Sequence, residues 1–361
     1  MNLVQLARGE NHIYKVLPDG RWLVKFDAHM LKDWMTCATY FNISHIPDEV
    51  GKVYRRRGGF GWPATFGIWW AHVLEDLYNH LMLAQKKTAT FPTLQDLVRY
   101  AVKRWQMDNM DQFAVTATKN YDKFCDGFIA YTYESRDMRI PVGVVTLART
   151  YWEYYDRMQD YNNWTVIATE STFGTEGDVV VGESNKVVVA YQGRPDIIVF
   201  TKAKQRIEPV DTKTTASLSA QFAGKWKPDG QILGYVVCTQ IICDQLKLNT
   251  SPIMSAVING IARDVGPAKP KDGIHLPRTD RLRIEYTQDE IDEWKEQRVI
   301  RAEELRYAIE HNKFPRNETA CHSFMGDCTH KEVCKQSPTQ RQKILDAAYE
   351  KVEPWSPKRA D

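Results

Sequence analysis

The sequence predicts an α/β core set between helical segments and followed by a small cysteine module. Two observations carry this. The apolar pattern switches from helical spacing to short β-branched runs near residue 164 and returns to helical spacing near residue 229. Three of the seven cysteines crowd into residues 321–334.

Taken in order, residues 31–42 (LKDWMTCATYFN) predict a short amphipathic helix carrying Cys37. Residues 48–63 hold Arg55, Arg56 and Arg57 among glycines and end at Pro63, the pattern of a basic loop. Residues 64–84, 93–109 and 143–160 predict three more helices. Apolar runs at 164–173, 186–191, 195–200 and 206–211 predict strands, with turns at Gly193-Arg194 and Lys202–Gln205. Residues 229–247 return to helix, and 253–262 and 281–286 predict the last strands. Thr287 and Glu290 form a capping-box pattern before a helix over 288–312, with Ile291, Trp294, Ala302, Leu305 and Ile309 on one stripe. The tail after Cys334 predicts a surface helix and a frayed end. The expected organisation is a mainly helical region over 1–160, an α/β core over 161–286, and a long helix with cysteine module and tail over 287–361.

Composition narrows the function. Hydrophobic residues make up 43% and charged residues 26% of 361, enough for a buried core and too apolar for wholesale disorder. The 48 basic and 46 acidic side chains exclude a polycation but leave room for a local basic groove. No apolar run approaches the roughly 18 residues of a membrane span. The start, MNLVQLARGENH, has no charged segment followed by an apolar one. The expectation is a cytoplasmic protein with no membrane partner. An odd cysteine count without an export signal favours buried thiols or metal ligation over disulfides.

The chemistry concentrates in residues 193–213, GRPDIIVFTKAKQRIEPVDTK. Asp196 opens one predicted strand and Asp211 closes the next, so a hairpin brings them to one rim. Lys213 lies two residues on, with its side chain on the same face as Asp211. Two carboxylates beside one ammonium invite a divalent, oxygen-liking cation such as Mg²⁺ or Mn²⁺. Phosphodiester hydrolysis needs that arrangement: an ion to neutralise the phosphate and a cation to steady developing charge. Gln231 and Tyr235 share a helix face in the pattern Q-x-x-x-Y. His72, in GIWWAHVLE, has Glu75 one turn on and is a candidate further metal ligand. Glu170, in VIATESTF, is a further carboxylate able to face the site.

The order G…H, E, G-x-x-D, D-x-K and Q-x-x-x-Y resembles the PD-(D/E)xK nucleases of the RecB exonuclease family, over about residues 31–334. The resemblance implies a restriction-endonuclease-like core, a mixed central sheet flanked by helices. It implies His72, Asp196, Asp211 and Thr212 as the metal site. It implies Lys213 as catalytic lysine and Glu170, Gln231 and Tyr235 as further site residues. The implied activity is a metal-dependent DNA exonuclease of recombination, repair or replication, with a protein partner from one of those processes. A free-standing nuclease without a helicase resembles phage-encoded members, which act in the host cytoplasm.

Cys321, Cys328 and Cys334 need a fourth ligand for a tetrahedral metal or a four-iron cluster. His322 and His330 offer Cys₃His zinc sites, and Cys37 offers a fourth thiolate. A subset of the RecB-like family carries one cysteine before the nuclease core and three after it, around a [4Fe–4S] cluster. That likeness implies Cys37, Cys321, Cys328 and Cys334 as cluster ligands, with Zn²⁺ as the alternative. The six residues between Cys321 and Cys328 depart from the two found in many members. Cys125, Cys238 and Cys243 read as buried thiols.

For DNA contact, the candidates are Arg55, Arg56 and Arg57 along the backbone, and Tyr235 near the site. Lys202, Lys204 and Arg206 edge the hairpin, and Lys225, Trp226 and Lys227 follow it. Basic residues with an interleaved aromatic suit single strands or free ends without base reading.

Overall fold

The computed structural model describes residues 13–48, 51–56, 62–108, 141–170, 178–215, 218–248, 251–262, 278–323 and 326–354. The chain begins with β1 (Tyr14–Val16), β2 (Trp22–Phe26), α1 (Ala28–Thr36), α2 (Ala38–His45) and β3 (Val53–Arg56). Next come α3 (Trp62–Gln85), α4 (Leu94–Asp108), α5 (Pro141–Met158), α6 (Asp160–Asn163) and β4 (Trp164–Thr169). They are followed by β5 (Val179–Glu183), β6 (Val187–Tyr191), β7 (Ile197–Thr201), β8 (Arg206–Thr215), α7 (Ala220–Gly224) and α8 (Gly230–Gln245). The last third contains β9 (Ser255–Ala262), β10 (Arg278–Glu285), α9 (Gln288–His311), β11 (His322–Ser323) and β12 (Gly326–Asp327). It ends with α10 (Lys331–Cys334), α11 (Pro338–Ala348) and β13 (Tyr349–Val352). The protein is mixed α/β. Among the described residues, no helix is long and apolar enough to cross a membrane.

Two compact units are built from interleaved stretches. The first unites Met1–Gly59, Thr172–Arg194 and Gln288–Asp361; the second unites Phe60–Ser171 and Pro195–Thr287.

The second unit holds a five-stranded sheet in the order β10-β9-β8-β7-β4. Only β8 and β9 run parallel, joined through α8 as a βαβ unit. Along β8, Val210 faces a core of Trp69, Trp70, Leu77, Tyr78, Val98 and Tyr151 from α3, α4 and α5. Side chains alternate across a strand, so Asp211 and Lys213 face the other side, where α8 packs. Gly67 lets α3 close on β8, since a Cβ there would sit 3.1 Å from Thr214 Oγ1.

In the first unit the sheet order is β1-β2-β6-β5, with β2 and β6 parallel. The helix α9 covers β5 and β6; a Cβ at Gly182 would come within 2.8 Å of Val299 Cγ2. A separate ribbon pairs β3 with β13, over a small core of Ile43, Tyr54, Val333, Leu345 and Tyr349.

Two expectations are corrected. The predicted helix over 31–42 is two helices, broken at Cys37, whose backbone is extended at φ −164° and ψ 115°. The basic loop over 48–63 contains β3 and the start of α3. The surface helix expected after Cys334 is α11; it runs into β13, which gives β3 its partner, and the chain after residue 354 lies outside the described residues.

Candidate functional site

Strand register builds the acidic site. Ile197 pairs with Thr169 on one side and with Val210 on the other. The flanking residues Glu170, Asp196 and Asp211 therefore stand at one level of three adjacent strands. The Glu170 N–H donates to the Asp196 carbonyl at 2.8 Å, fixing the end of β4 to the residue before β7. Glu170 adopts a left-handed φ of 45°, a strained conformation for a side chain of its size. Asp211 does not close its strand as expected. It sits mid-strand, and β8 and β9 continue beyond it where β7 has not begun.

Lys213 holds this row electrically. Its Nζ lies 2.7 Å from Asp211 Oδ2 and donates to Gln231 Oε1 at 2.9 Å. Gln231 Nε2 in turn donates to the Tyr235 hydroxyl at 2.7 Å. Burial alone would lower the Lys213 ammonium, but the carboxylates of Asp211 and Asp196 outweigh it and hold its pKa above the usual value. Lys213 therefore stays charged. Asp229, which sequence reasoning missed, caps α8 by accepting from the N–H groups of Gln231 and Ile232 and so sets the Q-x-x-x-Y face. An Asp one residue before a helical glycine was the available signal.

His72 lies between two anchor points of α3: Gly67 against Thr214 of β8, and Asn79, whose Oδ1 accepts from Thr169 Oγ1 at 2.6 Å. His72 and Asn79 are two turns apart and share a face. That stretch of helix passes from β8 to the end of β4, the two strands that bracket the carboxylate row. The Thr212 N–H donates to Asp196 Oδ2 at 2.6 Å. Its side chain points to the α3 face, away from Asp211, so Thr212 serves the row through its backbone.

Burial raises the Asp196 carboxyl well above the ordinary range, and repulsion from Asp211 and Glu170 adds to it. The sign follows. A carboxyl with a folded pKa above its unfolded one binds more protons when folded, so its contribution to stability is lost as pH rises through the folded value. Asp196→Asn is expected to stabilise the metal-free protein at pH 7.5, and the advantage should shrink towards pH 4. Thermal unfolding of both proteins across that range checks this; an advantage independent of pH would refute it.

No protein-family model and no curated protein sequence matches this chain.

In the first unit all four expected cysteines, Cys37, Cys321, Cys328 and Cys334, line one small cavity with His330. The break between α1 and α2 aims Cys37 inward, and the Asn317 N–H donates to its Sγ at 3.5 Å. Asn317 Nδ2 also donates to the Thr36 carbonyl at 2.9 Å, clamping the two segments. Burial raises the thiols of Cys328 and Cys334, and the neighbouring cysteines add to it. His330 is packed between Tyr40 and Tyr349, with Nε2 2.9 Å from Ser44 Oγ, which gives this ring a structural role. The side chain of His322 lies outside the described residues. Cys238 and Cys243 are buried thiols, as expected, while Cys125 lies outside the described residues.

Among the described residues, no group of three or more His, Cys, Asp or Glu side chains stands ready-arranged to hold an ion. The donor chemistry nonetheless fits two different ions. Clustered carboxylates with one ammonium suit a hard divalent cation. Four thiols lining one cavity suit zinc or iron. The cysteine cavity is small, about 20 Å³.

The DNA-contact candidates divide. Tyr235 is buried, with its hydroxyl accepting from Gln231 Nε2, so, contrary to expectation, it is not open to a strand. Arg55 lies on β3 opposite Glu350 and is exposed. Arg56 ends that strand, and Arg57 lies outside the described residues. Lys202 and Lys204 sit in the β7–β8 turn, the end of the hairpin far from Asp196 and Asp211. Arg206 is tied to Glu208 and Glu285, at 3.2 and 3.1 Å. Lys225 lies over the Trp226 ring at 4.2 Å, and Trp226 is buried with Lys213 5.5 Å from its ring.

Proposed function

We propose that this chain is a divalent-metal-dependent deoxyribonuclease with a RecB-like PD-(D/E)xK core, acting as an exonuclease on DNA. The observation that carries this is the row of Glu170, Asp196 and Asp211 across three strands, with Lys213 bridging Asp211 and Gln231. Asp196, Asp211, His72 and the Thr212 backbone would hold Mg²⁺ or Mn²⁺. Such an ion neutralises charge on the scissile phosphate and lowers the pKa of the attacking water. Lys213, kept protonated, offsets negative charge as it develops on the transferring phosphate. Gln231 fixes the lysine, and Tyr235 fixes Gln231.

The test is incubation with Mg²⁺ or Mn²⁺ and single- or double-stranded DNA, linear or covalently closed. Loss of linear DNA with closed circles intact is the expected result. Cut circles would make the enzyme an endonuclease. Binding to ends without cleavage would make it an accessory subunit of a recombination or replication complex.

Cys37, Cys321, Cys328 and Cys334 are proposed as a metal staple, a [4Fe–4S] cluster by family resemblance. The second reading is one Zn²⁺ held by the same four thiolates. Protein purified without oxygen should contain about four iron and four sulfide per chain in the first case, and about one zinc in the second. Cys37→Ala should lose either one; metal content unchanged in that variant would exclude Cys37 as a ligand.

A further inference from the structure

A groove of about 1060 Å³ runs along the first unit, between the end of α1, the C-terminal half of α9 and residues 313–317. Its surface is mainly apolar and aromatic. Trp34 and Phe314 are half-exposed, and Tyr307 is 54% exposed with its ring stacked on His311 at 4.1 Å. Five cations also line it, against two glutamates. Arg301 is paired with Glu304 and Arg306 with Glu310, while Glu303 accepts from Ser184 Oγ at 2.6 Å. Lys186, Lys313 and Arg316 enter no ion pair among the described residues; Arg316 donates only to the Cys334 carbonyl, at 2.9 Å.

A contiguous exposed aromatic and apolar lining of this kind marks an interaction site, and the solvated cations beside it set the charge of what it would take. We propose that this groove binds single-stranded nucleic acid, with bases stacked on Trp34, Tyr307 and Phe314 and phosphates against Lys186, Lys313 and Arg316. Every base offers a face to a ring and every nucleotide a negative charge, the combination this lining complements. An acidic peptide would satisfy the cations and leave the rings unused. The groove is made wholly by the first unit, and its proposal does not depend on cleavage by the carboxylate row. It shares Thr36, Cys37, Arg316 and Asn317 with the wall of the cysteine cavity.

The test is fluorescence anisotropy with labelled oligothymidylate and no added divalent ion, so that binding is read without cleavage. Lys186, Tyr307 and Lys313 are all exposed, which makes their replacement compatible with folding. The Lys186→Glu/Lys313→Glu double variant should bind about tenfold more weakly or worse. Its slope of log affinity against log salt should fall by about 0.7 for each phosphate that is no longer neutralised. Tyr307→Ala should weaken binding about tenfold with the slope unchanged. Ultraviolet crosslinking should attach thymine to a peptide within residues 301–317. Unchanged affinity and slope in both variants would overturn the proposal. So would tight binding of a polyglutamate peptide that the same variants abolish while oligothymidylate binding persists.

Discussion

Lys213→Ala is expected to lower metal-dependent DNA cleavage by about 10²- to 10³-fold, the usual cost of removing one preorganised group that meets developing charge. The lysine has a single environment that explains this. Its Nζ is 2.7 Å from a buried carboxylate and 2.9 Å from a glutamine held by a capped helix, so its position is fixed before substrate arrives. The neighbouring carboxylates hold its pKa above the usual value, so in the proposed reaction its part would be that of a charge and not of a base. Lys213→Arg should therefore retain more activity than Lys213→Ala. The alanine variant leaves Asp211 beside no ammonium, which lowers stability; a retained rise in melting temperature on adding Mn²⁺ would show the carboxylate row intact. Undiminished cleavage by this variant would remove Lys213 from the chemistry.

The largest stability loss is expected from the buried ion pair of the second unit. Arg281 donates to Asp160 through Nη2 at 2.6 Å and to the Tyr78 hydroxyl at 3.1 Å, and its guanidinium lies 4.1 Å above the Trp164 ring. Tyr78 donates to Asp160 at 2.7 Å, and Asn259 reaches Tyr151 in the same network. Asp160 is 1% exposed. Arg281→Met strands that carboxylate without its cation, at a cost of about 3–5 kcal/mol. For a unit of this size the melting transition should fall by roughly 10 °C. Adding Asp160→Asn should recover much of the loss, because the uncompensated charge is then gone. Calorimetry of the single and double variants decides; equal melting of Arg281→Met and parent would mean that water reaches Asp160.

The candidate site was legible because its chemistry is local in sequence. Asp196, Asp211 and Lys213 lie within one hairpin, and Gln231 and Tyr235 within one turn of helix, so alternation and helical spacing alone align them. Much of the first unit was not legible. The strand β2 pairs in parallel with β6, far along the chain, and β3 finds its partner only in β13. Such pairings leave no local periodic trace, and the arginines of β3 imitate a loop. Cys37 sat in an amphipathic pattern continuous enough to hide the break that turns it inward. Arg281 and Asp160, one from a strand edge and one from a four-residue helix, gave no sign of their burial together.

The interleaving of the two units has a consequence for biosynthesis. Synthesis is vectorial, and domains fold as they emerge. Every stretch of the second unit has left the ribosome once Thr287 has, whereas the first unit still awaits α9 and the last three of its four clustered cysteines. A ribosome stalled just after Thr287 has emerged would therefore display every stretch of the second unit and a lone Cys37 thiol. Any metal bound at the cysteine site must be loaded late, and a premature stop codon between Thr287 and Cys321 would release a chain whose carboxylate row is complete and whose staple can never form.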